Sequence, residues 1–212
     1  MDNLKPKTTK KLISRESSTQ IPTKYGVFHA FAYRDKTNGA EHLALVKGEI
    51  KSDKPINVRV HSECLTGDTL GSLKCDCGQQ LDFALKYIAK NNGVVLYMRN
   101  QEGRGIGLVN KIKAYELQEQ GLDTVEANLK LGLPIDGRNY DIGAQILSDL
   151  GVKKMNLLTN NPTKITGLTD YELEIVERIP IEIPINENNK KYLNTKRDKM
   201  GHILGISNSP NI

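Results

Sequence analysis

The chain has 212 residues, of which 38% are hydrophobic and 26% are charged, a composition that fits one folded domain and excludes wholesale disorder. No apolar run approaches the ~20 residues that a membrane helix needs, and the polar N-terminus lacks the apolar region of a signal peptide, so we expect a cytoplasmic protein. The net charge of +5 does not indicate a DNA-binding domain, because most of it comes from residues 1–24, where six lysines and arginines face two acidic residues.

Three regions follow from this composition. Residues 1–24 predict a basic, flexible N-terminal tail, because they are rich in lysine, serine and threonine and poor in apolar side chains. An interaction arm is the alternative reading of this segment. Residues 25–205 predict one folded domain, and residues 206–212 a short C-terminal tail.

The sequence pattern of the first part of the domain, residues 25–98, predicts strands followed by a helix and a further strand. Partly alternating apolar segments indicate strands at residues 25–34, 43–46 and 58–60. Apolar residues then recur at the spacing of an amphipathic helix, at Leu81, Ala84, Leu85 and Ile88. Gly93 ends this helix, and the apolar run 94–98 is typical of a buried strand.

The second part alternates helices and strands. A glycine-rich turn, 101–107, precedes a helix that carries Leu108, Ile112 and Tyr115 on one face. Further on, the pattern predicts a helix over 142–150, a strand over 155–159 and an edge strand over 174–183, where Pro180 and Pro184 limit pairing. The fold class is therefore α/β: a single domain with a mixed β-sheet flanked by helices.

All three cysteines, Cys64, Cys75 and Cys77, lie in one short stretch. Structural zinc sites usually have four protein ligands, whereas catalytic sites have three and leave a position for water. Three thiolates without a fourth cysteine therefore suggest an open metal centre, and an odd cluster fits a disulfide framework poorly. Two alternatives stay open: inert buried thiols, or a closed site completed by a histidine, namely His61, His29, His42 or His202.

The glycine-rich turn, residues 103–107, lies between a predicted strand and a predicted helix. That geometry binds phosphate through free N–H groups and the positive end of the helix dipole. The run is neither a Walker A motif nor G-x-G-x-x-G, since residue 108 is Leu, so a plain tight turn is the alternative. We expect Glu102 and Arg104 to be exposed at its mouth.

Two further loops carry candidate groups. Asp136 and Arg138 flank Gly137 and could supply an acid–base group and a phosphate-binding guanidinium; a turn with solvated charges is the alternative. Thr159 and Lys164 follow a predicted strand, where open α/β sheets bind ligands, although a capped turn would look the same. With the metal site and Arg59, these loops describe a pocket for a metal-activated water and an anionic substrate such as a nucleoside triphosphate.

Six segments closely resemble GTP cyclohydrolase II, in order and spread from about Tyr25 to His202: residues 59–68, 75–78, 101–108, 123–128, 158–162 and 199–202. The resemblance implies that residues 25–205 form a catalytic domain for the first committed step of riboflavin biosynthesis. GTP would be hydrolysed to 2,5-diamino-6-(5-phospho-D-ribosylamino)pyrimidin-4(3H)-one, formate and pyrophosphate. It also implies one Zn2+ per subunit, Mg2+ with the triphosphate, a homodimer and no nucleic-acid partner.

The same resemblance implies roles for individual residues. Cys64, Cys75 and Cys77 would hold zinc, whose water attacks C8 of the purine with help from Tyr115. Asp136 would be the proton acceptor and Arg138 the nucleophile at the α-phosphorus. The implied GTP contacts are Arg59, Val60, His61, Ser62, Glu63, Gln80, Glu102, Gly103, Arg104, Thr124, Thr159 and Lys164.

Some alternatives remain. Arginine stays protonated in proteins, so an electrostatic clamp is a simpler role for Arg138 than nucleophilic attack. A zinc-stabilised nucleic-acid-binding domain and a paralogue that only partly processes GTP are the rival functions. Some relatives are fused to a second enzyme that makes dihydroxybutanone phosphate; 212 residues leave no room for it, so we expect a single activity.

Overall fold

A seven-stranded sheet forms the centre of the computed structural model, which describes residues 10–169 and 171–205. Its strands are β1 (Ile13–Thr23), β2 (Gly26–Asp35), β3 (Glu41–Lys47), β4 (Ile56–Ser62), β5 (Gly93–Met98), β6 (Lys154–Leu158) and β7 (Glu174–Ile179). The strand order is β1-β2-β3-β5-β4-β6-β7. Pairing is antiparallel from β1 to β5 and parallel from β5 to β7, so the predicted mixed sheet and the edge position of β7 are confirmed.

Helices cover both faces of this sheet. They are α1 (Cys77–Asn91), α2 (Glu102–Gly105), α3 (Leu108–Glu119), α4 (Thr124–Lys130), α5 (Asp141–Asp149), α6 (Pro162–Thr169) and α7 (Lys190–Met200), and a π-helical turn spans Leu65–Thr69. Among the described residues, no helix is both long and apolar enough to cross a membrane.

The alternation of side chains along β5 divides the core into two layers. Val94 and Leu96 point to one side, where they pack in a cluster with residues of α5 and α6. Val95 points to the other side and packs against Ala84 and Ile88 of α1. Because both faces of β5 are buried, this strand reads as a continuous apolar run, as the sequence pattern predicted.

Strand β1 contradicts the prediction of a flexible tail for part of that segment. Residues 13–23 pair with β2 in an antiparallel hairpin, from Ile13 opposite Asp35 to Thr23 opposite Gly26. Backbone hydrogen bonds and a buried Ile13 hold this mostly polar strand, and Arg15 donates two side-chain hydrogen bonds to the Asp149 carboxylate of α5. Composition alone misses such an edge strand. Residues 1–9 and the predicted tail 206–212 lie outside the described part of the chain.

Helix α3 forms where the pattern predicted it, but two of the three residues on its predicted apolar face are exposed, whereas the third, Tyr115, is partly buried. Leu108 and Ile112 are 40% and 51% exposed. The buried side chains of α3 are instead Lys111 and Ala114. An amphipathic helix ordinarily turns its apolar stripe to the core. A strong competing interaction must therefore hold Lys111 inside, and its partners lie in the candidate site.

Candidate active site

The carboxyl ends of the parallel strands β4, β5 and β6 open onto one cavity, the usual ligand position in such sheets. Strand β4 contributes Arg59, His61 and Ser62, the turn after β5 contributes Gln101, and the loop after β6 contributes Thr159. The three candidate loops and the cysteine cluster of the sequence thus meet in one place. The cavity is the structural counterpart of the predicted pocket.

The three cysteine thiols form a compact donor set at one wall of this cavity. Cys64 precedes the π-helical turn, Cys75 lies in the following loop and Cys77 begins α1. Their sulfur atoms all lie within 4.8 Å of one another, and those of Cys64 and Cys75 are 3.7 Å apart. Soft thiolate donors at this spacing suit a metal ion such as zinc.

Two glycines keep this space open. A Cβ atom on Gly67 would lie 2.9 Å from the Cys75 sulfur and 3.1 Å from the Cys64 sulfur. A Cβ on Gly78 would lie 2.2 Å from the carbonyl oxygen of Gly67, so α1 begins in direct backbone contact with the turn. A larger residue at Gly67 would displace the thiols, and one at Gly78 would push α1 away from the turn. The space between the three thiols therefore suits a metal ion with three cysteine ligands.

The thiols differ in their readiness to ionise. Contacts with the other two cysteines and the ammonium group of Lys111, 3.0 Å from its sulfur, hold the pKa of Cys64 far below its ordinary value. The contact with Cys64 raises the pKa of Cys75 to about 11, and contact with both neighbours raises that of Cys77 well above its ordinary value. A bound divalent cation would favour the ionised form of all three thiols.

No histidine of the described residues joins the three thiols, so the structure does not support the closed Cys3His alternative. His61 is buried, and burial lowers its pKa, so the ring is neutral. Its Nε2 lies 3.0 Å from both oxygens of Asp68, which also accepts hydrogen bonds from Cys64 N and Tyr97 Oη. His61 therefore positions the turn that carries Cys64 through Asp68.

Buried cations line the opposite part of the cavity. Arg59 donates to the carbonyl of Leu158 and to Gln80, and desolvation lowers its pKa to about 10. The Nζ of Lys164 donates to the carbonyl of Val60 at 2.7 Å. Burial, together with repulsion from Arg59 and Arg138, holds the pKa of Lys164 well below its ordinary value. Such a cluster of buried cationic side chains favours the binding of a polyanion.

Asp136 and Arg138 form a fork-like ion pair. The Nε and Nη2 atoms of Arg138 each donate to one carboxylate oxygen of Asp136, and its Nη1 donates to Ser62 Oγ at 3.3 Å. Burial opposes ionisation of both groups, but the pair keeps the pKa of Asp136 below and that of Arg138 above its ordinary value. The alternative of solvated turn charges is wrong, because the Arg138 side chain is only 9% exposed.

The glycine-rich turn packs against this loop. Gly103 and Arg104 adopt left-handed conformations with φ of 60° and 65°, and the carbonyl of Arg104 accepts a hydrogen bond from Gly137 N. Glu102 differs from expectation: its side chain is buried, not exposed at the loop mouth. Its carboxylate turns away from the cavity and accepts hydrogen bonds from Leu65 N and Lys111 Nζ.

A chain of polar contacts joins the loop that carries Cys75 and Cys77 to α7. Asp76, between two of the cysteines, accepts hydrogen bonds from Lys196 of α7 at 2.9 and 3.2 Å. It also accepts one from Gln80, which in turn binds Arg59. Burial raises the pKa of Asp76, but the charge of Lys196 together with hydrogen bonds from Lys196, Gln80 and the backbone outweighs it, and the net shift is downward. The pair fixes α7 as one wall of the cavity.

Of the site residues that the resemblance implies, all but Val60, Glu102 and Asp136 line the cavity. The side chain of Val60 lies in the core instead. Eleven further residues line the cavity, among them Lys111, Asn128, Tyr192 and Lys196, to which the sequence analysis gave no role, and His202, which it considered only as a possible metal ligand. The four-residue spacing of Tyr192 and Lys196 places them on one face of α7, the only local signal that could have found them.

Comparisons with known proteins identify relatives of this chain. The family model described as GTP cyclohydrolase II matches residues 14–180. The riboflavin biosynthesis protein RibBA of Bacillus cytotoxicus is 58% identical over 195 residues, which cover 92% of this chain and 49% of that protein. RibBA of Bacillus cereus is 58% identical over 196 residues with the same coverage. The chain thus spans about half the length of the curated relatives it matches.

A solved structure shares the fold. It is described as the crystal structure of RibBX, a two-domain 3,4-dihydroxy-2-butanone 4-phosphate synthase from A. baumannii. The match has a TM-score of 0.50 and 28% sequence identity, and it covers 83% of this chain and 42% of that one.

Proposed function

The chain belongs to the GTP cyclohydrolase II family, and from this we propose that it hydrolyses GTP in riboflavin biosynthesis. The reaction opens the imidazole ring of guanine, releases C8 as formate and removes pyrophosphate. The product is 2,5-diamino-6-(5-phospho-D-ribosylamino)pyrimidin-4(3H)-one. The observation that carries the proposal is one cavity with a three-thiol donor set at one wall and buried cations at another.

The cations would bind the triphosphate, with Mg2+ as its counter-ion. Arg59, Lys164 and Arg138 are held in place by carbonyl, amide and carboxylate partners, so they need little reorganisation when an anion enters. Arg104 is less buried and rests on the ring of Tyr192, 5.6 Å from its centre, where it can approach a bound substrate.

Cys64, Cys75 and Cys77 would hold one Zn2+ per subunit, which supplies Lewis-acid activation of water when bound. The side chain of Tyr115 lines the cavity close to this wall and would orient the water that hydrolysis requires. Burial keeps the pKa of Tyr115 above its ordinary value, so its hydroxyl stays protonated and can donate a hydrogen bond.

We assign Arg138 the role of an electrostatic clamp on the α-phosphate. Its fork-like pairing with Asp136 raises its pKa, which favours the protonated form and opposes a nucleophilic role. The same pair keeps Asp136 ionised. Its carboxylate would be the proton acceptor of the reaction, as the resemblance implies. Rapid-quench experiments with radiolabelled GTP test this assignment. A guanylyl-enzyme trapped at Arg138, in which the α-phosphorus is bonded to the guanidinium nitrogen and pyrophosphate has left, would overturn the clamp, and its repeated absence supports it.

The decisive experiment for the function is a product assay. Folded, zinc-loaded protein is incubated with GTP and Mg2+, and formate and the diaminopyrimidine chromophore are measured. We expect both in equal amounts, and neither from a Cys77→Ser variant that stays folded. Absence of both products from the zinc-loaded protein would overturn the proposal. Binding of RNA or duplex DNA that weakens steeply with salt would instead favour the nucleic-acid alternative.

The proposal extends to a cytoplasmic homodimer, as the family resemblance implies. Sedimentation equilibrium of the purified protein tests whether it is a dimer. A species with the mass of two chains, each 23.6 kDa, is expected.

A further inference from the structure

Lys111 is a buried cation that the proposed reaction does not yet use. Its side chain projects from α3 into the protein, where its ammonium group has three partners. It donates to Cys64 Sγ at 3.0 Å, to Thr66 Oγ1 at 2.7 Å and to Glu102 Oε1 at 2.5 Å. A lysine ammonium group has three N–H donors, so these contacts use all of them. Lys111 therefore has no free donor for a substrate, although it lines the cavity.

Glu102 holds Lys111 in this position. One carboxylate oxygen accepts the lysine hydrogen bond, and the other accepts one from the backbone N–H of Leu65 at 2.6 Å. Leu65 directly follows Cys64, so the carboxylate binds both the lysine and the turn that carries the thiol. Both side chains of the pair are nearly inaccessible to solvent, at 9% and 8% exposure.

The charge balance of the site explains why a lysine occupies this place. Three thiolates and one divalent cation leave a net charge of −1, and an unbalanced charge is costly in a buried site. The Lys111–Glu102 pair adds no net charge, but its ammonium group lies 3.0 Å from the Cys64 sulfur and stabilises the negative charge on that atom. The ammonium group also draws electron density from the sulfur, and such contacts around metal ligands typically change affinity or activity by about 10–100-fold.

We propose that Lys111, oriented by Glu102, stabilises the thiolate charge of Cys64 in the metal centre and limits the electron donation of Cys64 to the bound ion. This inference rests on the proposed metal site. Lys111 is a positioning residue that acts through the thiolate. Glu102, which the resemblance implies as a GTP contact, acts on the metal side through its side chain.

Cobalt(II) substitution tests the electronic effect without catalysis, because Co2+ bound by thiolates shows a sulfur-to-metal charge-transfer band. In Lys111→Met the sulfur loses a positive neighbour, so the band moves to longer wavelength. In Glu102→Gln a negative neighbour is lost and the band moves to shorter wavelength. Lys111→Arg keeps the charge and stays close to the wild type. Lys113→Met, an exposed lysine on the same helix, is the matched control and leaves the band unchanged.

Kinetics of the zinc-loaded variants provide the second measurement. We expect kcat of Lys111→Met to fall by about 10–100-fold, with little change in KM for GTP. A raised KM with unchanged kcat would overturn the inference, because it would identify Lys111 as a substrate contact. Cobalt bands that coincide in Lys111→Met, Glu102→Gln and wild type would overturn it as well. If wild-type protein shows no cobalt–thiolate band, the proposed metal site fails, and this inference fails with it.

Discussion

The buried ion pair between Lys196 and Asp76 makes the most demanding prediction about stability. In Lys196→Met the methylene stem is largely kept, but the only cation paired with Asp76 in the described structure is removed. The Asp76 side chain is 2% exposed, so its carboxylate would stay buried without a counter-charge. Breaking a buried pair from one side costs about 3–5 kcal/mol. For a chain of this size that corresponds to a loss of roughly 6–20 °C in Tm.

Thermal and urea unfolding of the metal-loaded protein measure this loss. Lys199→Met is the matched control, because Lys199 lies on the same helix and pairs with Asp123 and Glu126 but is itself 45% exposed, so solvent weakens its pairs and its loss should cost clearly less. The double variant Asp76→Asn/Lys196→Met removes both charges and should recover most of the stability. A Lys196→Met protein as stable as the Lys199→Met protein would refute the reasoning.

Three other predictions follow from the described contacts. Gly67→Ala places a methyl group among the thiols. It should destabilise the protein by about 1–3 kcal/mol and allow a chelator to remove the bound metal. Gly143→Ala is the control, because its methyl group would make only ordinary van der Waals contacts and should have neither effect. At a pH above the lowered pKa of Lys164, binding of the triphosphate should take up a proton, because the anion raises that pKa. Calorimetry in buffers of different ionisation enthalpy would detect this, and Lys164→Met should abolish it. Asp149→Asn should loosen β1 and cost about 1–3 kcal/mol, seen as faster amide hydrogen exchange in residues 13–23.

The cysteine spacing and the apolar run of β5 were sufficient to predict the cluster of three thiols and the centre of the sheet. Both are local patterns: the cysteines lie within 14 residues of sequence, and β5 is buried on both faces. The position of Glu102 was not predictable, because a glutamate beside a glycine-rich turn looks the same whether it faces solvent or a lysine nine residues on. The burial of Lys111 reverses the usual polarity of a helix, which no hydrophobic pattern can indicate.

The contribution of α7 was also hidden. Its sequence is highly charged, and the partner that makes Lys196 a buried residue lies 120 positions earlier in the chain. Strand β1 was missed for a related reason, since its polar side chains are compatible with a sheet edge only once β2 and Asp149 are in place. Partners distant in sequence decided each of these cases.

The Asp76–Lys196 pair also has a consequence for the order in which the protein is completed. A ribosome adds about 5–20 residues per second, so roughly 6–24 s separate the synthesis of these two residues. During that interval the cysteine loop of the nascent chain exists without the helix that closes it, and Asp76 is still open to solvent. We expect metal to be able to reach the thiols during translation, before the wall formed by α7 is in place.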